Sequence, residues 1–395
     1  MPEQKKAVTP RLRFPEFRNA GPWKVKRLGE ILREVRKERI ESDAYEVVNV
    51  KLHAKGLERT GRKPLINSKG RPYYVVREGE ILIGKQNFHN GSIALVTNEY
   101  DGFVASNAIF HLDTLRYDDK RFLVAYLARP SFYMQISDLI GGTGQKEISN
   151  QLLFALHVSI PTLPEQQKIA DCLSSLDELI ELEAKRLEAL KAHKKGLMQQ
   201  LFPREGETTP RLRFPEFRNA GPWEVKRLGE LVKTITPPKK LQTSNYQPSG
   251  RFPIIDQSAD DICGWTDDET AVVKGDFPLV IFGDHTCVVK LAGSPFAQGA
   301  DGIKILSPTK EVDARFLFQS LQAHSIEQKG YKRHFSTLKK KLIYFPSQDS
   351  GEQQKIADCL SSLDELIELE AKQLEALQTH KKGLMQQLFP QEIDL

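Results

Sequence analysis

The chain has 395 residues, 39% of them apolar and 28% charged, enough for two or three domains with packed cores. No apolar run approaches the roughly 18–20 residues of a membrane span, and the start MPEQKKAVTP lacks a secretion-type apolar stretch, so a cytoplasmic location is expected. Lys and Arg number 57 against 52 Asp and Glu, and a net charge of +5 permits a nucleic-acid partner without requiring one. The 4 cysteines (Cys172, Cys263, Cys287, Cys359) form no CxxC pair, which excludes a disulfide scaffold and fits a reducing compartment.

Read in chain order, the sequence follows one plan twice. A Pro-rich lead-in at 9–31, TPRLRFPEFRNAGPWKVKRLGEI, returns at 209–231 with only Lys24/Glu224 and Ile31/Leu231 changed. A variable block at about 32–164 follows. Its strands are expected at 47–50, 81–83 and 92–96, and Asp119 opens a helical D-x-R-F-L-x-x-x-L stretch. Next comes EQQKIADCLSSLDELIELEAK at 165, running to HKKGLMQQLFP, which ends at Pro203. Its second copy spans 352–390 and differs only at Arg186/Gln373, Lys191/Gln378 and Ala192/Thr379. The second variable block, about 232–351, carries strands at 279–282, 286–291 and 302–306 and its own D-x-R-F-L-x-x-x-L from Asp313.

The fold class expected is α/β (α+β): two globular domains related by a pseudo-two-fold axis and separated by two long antiparallel coiled-coil helices. The segments are 1–164 (first domain), 165–203 (first helix), 204–351 (linker, repeated lead-in, second domain) and 352–395 (second helix and C-terminus). A heptad seam carries the helices: Leu173, Leu176, Ile180, Leu187, Leu190 and Leu197, repeated at Leu360, Leu363, Ile367, Leu374, Leu377 and Leu384. Charged residues interrupt each seam, and one antiparallel register sets Glu183 against Lys381 and Lys194 against Glu370. The alternative is that each helix packs on its own domain.

This layout resembles the specificity (S) subunit of type I restriction–modification systems. The carriers are LPEQQKIADCLSSLDELIELEAKRLEALKAHKKGLMQQLF at 163–202 and its copy, TPRLRFPEF at 9–17 and 209–217, and IFGDHT at 281–286. The resemblance implies two target recognition domains, each reading half of a split double-stranded DNA site. It implies two methyltransferase (M) subunits on the repeats and restriction (R) subunits joining them. S-adenosylmethionine, ATP and Mg would sit on those partners, and this chain would bind no cofactor or metal and catalyse nothing. The competing reading is a duplicated coiled-coil scaffold that binds proteins or peptides through its variable domains.

Phosphates are met by Lys, Arg and backbone N–H groups, and base edges by Arg, Lys, Asn, Gln, Asp and Ser/Thr. Polar loops recur at matching places in the two blocks and supply the candidates. In the first block these are Lys85, Gln86 and Asn87 after a strand, and Thr143, Gln145 and Lys146 in a Gly-rich loop. In the second they are Asp284, His285 and Thr286 after a strand, and Lys332, Arg333 and His334 within KGYKRHFSTLKKK. Enzyme signals fall short. The Gly79–Lys85 spacing fits a P-loop, but Gln86 replaces the Ser or Thr that would hold Mg. His285-x-Cys287 with Cys263 lacks a second close ligand pair, and no NPPY- or DPPY-type methylation tetrapeptide occurs.

Overall fold

The computed structural model describes residues 8–65, 72–116, 118–140, 147–300, 302–328, 330 and 332–390. The chain divides into two compact units: Met1–Leu182 with Leu374–Leu395, and Glu183–Gln373. The division cuts both long helices, Leu163–Leu201 and Glu352–Leu388. Each unit therefore holds the start of one long helix and the end of the other.

In the first unit, strand Lys24–Arg27 pairs antiparallel with His157–Ile160. A four-stranded antiparallel sheet runs in the order Leu32–Glu34, Ile109–Thr114, Ile81–Gly84, Ile93–Leu95. Ile81, Leu82 and Ile83 form an unbroken apolar run because both faces of this strand are covered. Ile81 and Ile83 join the main core with Trp23, Phe122 and Tyr126, while Leu82 joins Val48, Val76 and Ala105 on the other face. Helix Lys120–Leu127 starts where expected, because the Asp119 side chain accepts from the Arg121 and Phe122 N–H groups.

The second unit repeats this frame. Strand Glu224–Arg227 pairs with Leu342–Phe345, and the sheet order is Val232–Ile235, Ile303–Pro308, Leu279–Gly283, Val289–Ala292. Asp313 caps helix Ala314–Ala323 as Asp119 caps its counterpart. Val280 and Phe282 face one core, Leu279 and Ile281 the other. The units part company in the smaller sheets. The first has two short antiparallel pairs, Val48–Val50 with Leu57–Arg59 and Tyr73–Val75 with Val104–Ser106. The second has one four-stranded sheet in which Phe252–Ile255 runs parallel to Phe296–Gln298.

The lead-in and the helix start are near-identical in both copies because they bind each other. Arg13 donates through Nε and Nη2 to the Glu165 carboxylate at 2.8 and 2.5 Å, and Arg213 does the same to Glu352. Nη1 of each arginine donates to the carbonyl of Ala20 or Ala220 at 2.7 Å. The next residue of the helix start, Gln166 or Gln353, accepts from the N–H of the helix-capping aspartate, Asp119 or Asp313. Lead-in, capped helix and long helix are thus locked by the EQ pair.

Within each unit the two long-helix segments run antiparallel. Lys381 pairs with Asp177 in the first unit. Lys194 meets Asp364 at 2.5 Å and Arg186 meets Glu370 at 3.0 Å in the second. The register expected from the sequence is therefore corrected: Lys194 meets residue 364 rather than 370, and Lys381 meets residue 177 rather than 183, each six positions away. The physical reason lies at the helix ends. Leu388 and Phe389 are buried with Trp23, Phe122 and Tyr126, and Leu201 and Phe202 with Trp223 and Phe316. Docked aromatic ends set the axial position, and Lys194, buried, and Lys381, half-buried, then find acids at Asp364 and Asp177. Of the seam residues, Leu173, Leu187 and Leu360 are buried, and the rest are half-buried.

Candidate nucleic-acid interface

The loops that follow the central strands are wired alike in the two units. Gly84 N–H donates to the Ser92 carbonyl at 2.9 Å, and Gly283 N–H to the Val288 carbonyl at 2.8 Å, closing each loop. The next residue is tied to the strand beyond: Lys85 N–H to the Ala108 carbonyl, Asp284 N–H to the Gly302 carbonyl. The same residue then accepts from the segment ahead of a short helix. Ile148 N–H donates to the Lys85 carbonyl at 2.9 Å, and His334 N–H to the Asp284 carbonyl at 2.8 Å. Helices Asn150–Ala155 and Phe335–Lys340 follow these contacts. Apart from the leading glycine the loop residues differ, so a constant backbone frame carries two side-chain sets.

In the second unit the frame sorts the sequence-derived candidates. Asp284 is 4% exposed, and its carboxylate accepts from the His334 and Phe335 N–H groups at 2.9 and 2.8 Å. His334 is buried, and its Nδ1 donates to the Asp284 carbonyl at 3.1 Å. Both of these DNA-binding candidates are turned inward: a buried carboxylate already holding two donors serves as a helix cap and a loop clasp. Lys332 and Arg333, immediately before the clasp, are exposed. Phe335 lies beneath Lys304 and Lys339, whose ammonium groups stand 5.7 and 5.4 Å from its ring. His285 and Thr286 are half-buried, and the Thr286 hydroxyl donates to the Gln257 carbonyl at 2.8 Å.

In the first unit Lys85 is half-buried, with its ammonium 4.8 Å from the centre of the Phe110 ring. Gln86 is half-buried, and Asn87 is exposed at the loop tip. Thr143, Gln145 and Lys146 lie outside the described residues, as do Lys329 and Tyr331.

Lys290 is a residue the sequence reading passed over. It is 4% exposed, and its ammonium donates to the Asp256 carbonyl at 2.9 Å and to the Asp260 carbonyl. A lysine inside the apolar run Val289–Ala292 was the available signal. Among the described residues no three His, Cys, Asp or Glu side chains are grouped to hold a metal. Burial pushes the Cys263 thiol up to about 11, and its Sγ donates to the Ile254 carbonyl, which disfavours the thiolate a metal needs.

The family described as type I restriction modification DNA specificity domain matches residues 21–192 and 221–379. A Methanocaldococcus jannaschii protein assigned as the MjaX type I restriction enzyme specificity subunit is 25% identical over 94% of this chain and 93% of its own length. The MjaVIII specificity subunit of the same organism is 26% identical over 64% of this chain and 65% of its own. The crystal structure of a type I restriction-modification S subunit from M. genitalium shares the fold, with a TM-score of 0.66 at 17% identity over 97% of this chain and 99% of that one. With the family matched in both halves, on the duplicated frame just described, the chain belongs to the type I restriction–modification specificity subunits, a non-catalytic family that recognises DNA.

Proposed function

We propose that each unit reads one half of a split DNA site through the loops on its constant frame, and that the chain brings methyltransferase subunits to that site. The observation that carries this reading is the pair of loop sets held by corresponding backbone hydrogen bonds but carrying different residues. A shared frame gives both units the same approach to a duplex, and unlike side chains give them different base preferences.

The repeats suit two copies of one methyltransferase subunit. Leu182 and Leu369 occupy matching positions on the two long helices and are 62% and 61% exposed. A leucine presented twice in the same setting fits a partner that binds twice. S-adenosylmethionine, ATP and Mg belong on the methyltransferase and restriction subunits in this reading. No described helix is long and apolar enough to cross a membrane.

The test is duplex binding as a function of salt, with the methyltransferase partner present. Replacing Lys332 and Arg333 together with Ala should weaken binding to every sequence and lower the log–log salt slope by about one per lost phosphate contact. An unchanged slope removes both from the interface.

A further inference from the structure

A third loop packs against the same frame in each unit, and its two versions share no sequence. In the first unit, strand Val48–Val50 leads into residues 51–56. In the second, strand Phe252–Ile255 leads into 256–262. Their settings correspond. Val47 forms a parallel bridge to Val104, and Phe252–Ile255 pairs parallel with Phe296–Gln298, each partner standing just before the strand that joins the central sheet.

Both third loops are clasped to the loop after the central strand. His53 N–H donates to the Asn90 carbonyl at 2.8 Å, and Ala54 N–H to the Gly91 carbonyl at 2.7 Å. In the second unit Gln257 receives the Thr286 hydroxyl on its carbonyl and the His285 N–H on its side-chain oxygen. The clasps are held at a cost. His53 and Ala54 stand at φ 58° and 53°, a left-handed pair in which neither residue is glycine. A Cβ on Gly91 would lie 2.8 Å from the Tyr133 ring, and one on Gly302 would lie 2.6 Å from the Gln257 amide. Backbone strain in the first unit and a buried lysine holding the 256–260 turn in the second both need a reason beyond packing.

The exposed chemistry of the two loops is opposite. The first offers His53 and Lys55. His53 also lines a cavity of about 680 Å³ whose walls include Lys382, Arg121 paired with Asp119 and Asp171, and Lys381 paired with Asp177, so the loop's own Lys55 is its exposed cation. The second offers Asp260 and Asp261. A cationic loop is attracted to the backbone of a duplex. Acids are repelled by phosphates and find favourable partners only at base amino groups such as cytosine N4.

Building on the DNA-reading assignment above, we propose that residues 51–56 and 256–262 are a third reading loop in each unit. His53 meets a base edge and Lys55 a phosphate in one half-site. Asp260 and Asp261 accept from base amino groups in the other half-site.

The test expresses the full chain with its methyltransferase partner and maps methylated adenines across the host genome. His53→Asn with Lys55→Ala is one variant, Asn being chosen because it tolerates the left-handed backbone. Asp260→Asn with Asp261→Asn is the other. The expected result is a loss of discrimination of about ten-fold or more at one or two base pairs, in one half of the motif for the first variant and in the opposite half for the second. Variants that melt like the parent and methylate the parental motif unchanged overturn the proposal, as does equal loosening of both halves. A parental chain that directs methylation to no split motif overturns the DNA-reading assignment itself, which is a separate result.

Discussion

Glu165 and Glu352 each bury a carboxylate whose charge is matched by one guanidinium, Arg13 or Arg213, with side chains 6% exposed or less in both pairs. Removing one member strands the other in a low-dielectric site, which typically costs about 3–5 kcal/mol. Glu352→Ala should destabilise the second unit by that order in denaturant titration, and a loss under about 1 kcal/mol would show the pair is dispensable. Another residue makes one unit pH-sensitive. His324 Nε2 donates to the Pro203 carbonyl at 3.0 Å, where the first unit uses Arg129 on the Pro390 carbonyl at 2.8 Å. Burial, and then the nearby Lys341 charge, hold the His324 pKa below its usual 6.5. The folded state thus binds the proton less readily than the unfolded chain. The stability this confers is complete above about pH 6.5 and is lost as pH falls through the depressed value. Heat unfolding should show the second unit weakening as pH falls below about 6.5, and His324→Gln, which keeps a donor, should flatten that trend.

At the level of elements, the long helices are held by their seam and their ends, with Lys194 and Glu370 each burying one side of an ion pair in the second unit and the first-unit pair lying at the surface. Asp177, partner of Lys381, is 59% exposed, and such surface pairs contribute about 0–1 kcal/mol. Leu360 is fully buried in the second core, whereas Leu369, nine residues on in the same helix, is 61% exposed. Leu360→Ala should cost about 2–5 kcal/mol and Leu369→Ala less than about 0.5 kcal/mol, read by chemical denaturation. Equal losses would mean the helix pair is not organised by this seam. The seam was legible in the sequence because apolar periodicity follows from helix geometry. The register was not, because Glu183 and Lys381 could satisfy each other on paper, and only the burial of Phe389 and Phe202 chose the axial position.

For the whole molecule, the consequence of duplication is that each unit is completed by helix ends from the other half of the sequence. Residues 374–390 finish the first core, yet 193–203, HKKGLMQQLFP, are identical to 380–390. A fragment of residues 1–203 lacks the segment that covers Trp23, Phe122 and Tyr126 but carries a copy of it. Two such fragments can complete each other, so the fragment should elute as a homodimer in size-exclusion chromatography with light scattering. A folded monomer would show that the helix ends are not needed to close the core. Under the proposed function, such a dimer with a methyltransferase subunit should direct methylation to a site with two identical halves, since only one loop set is present.

Sequence alone determined the duplicated plan, the capped helices at Asp119 and Asp313, the apolar central strands and the family, because those rest on local periodicity, capping chemistry and motif identity. Two of the loops at the candidate interface were visible because a polar segment follows a buried strand. Tertiary structure alone decided which loop residues are spent on holding the loop, turning Asp284 and His334 inward and leaving Lys332 and Arg333 outside. It also decided that residues 51–56 and 256–262 occupy the same place, since their equivalence lies in backbone hydrogen bonds to a neighbouring loop. The physical reason is range: spacing along a chain encodes contacts a few residues apart, whereas burial and cross-loop bonding join residues tens of positions apart and exist only once the chain has folded.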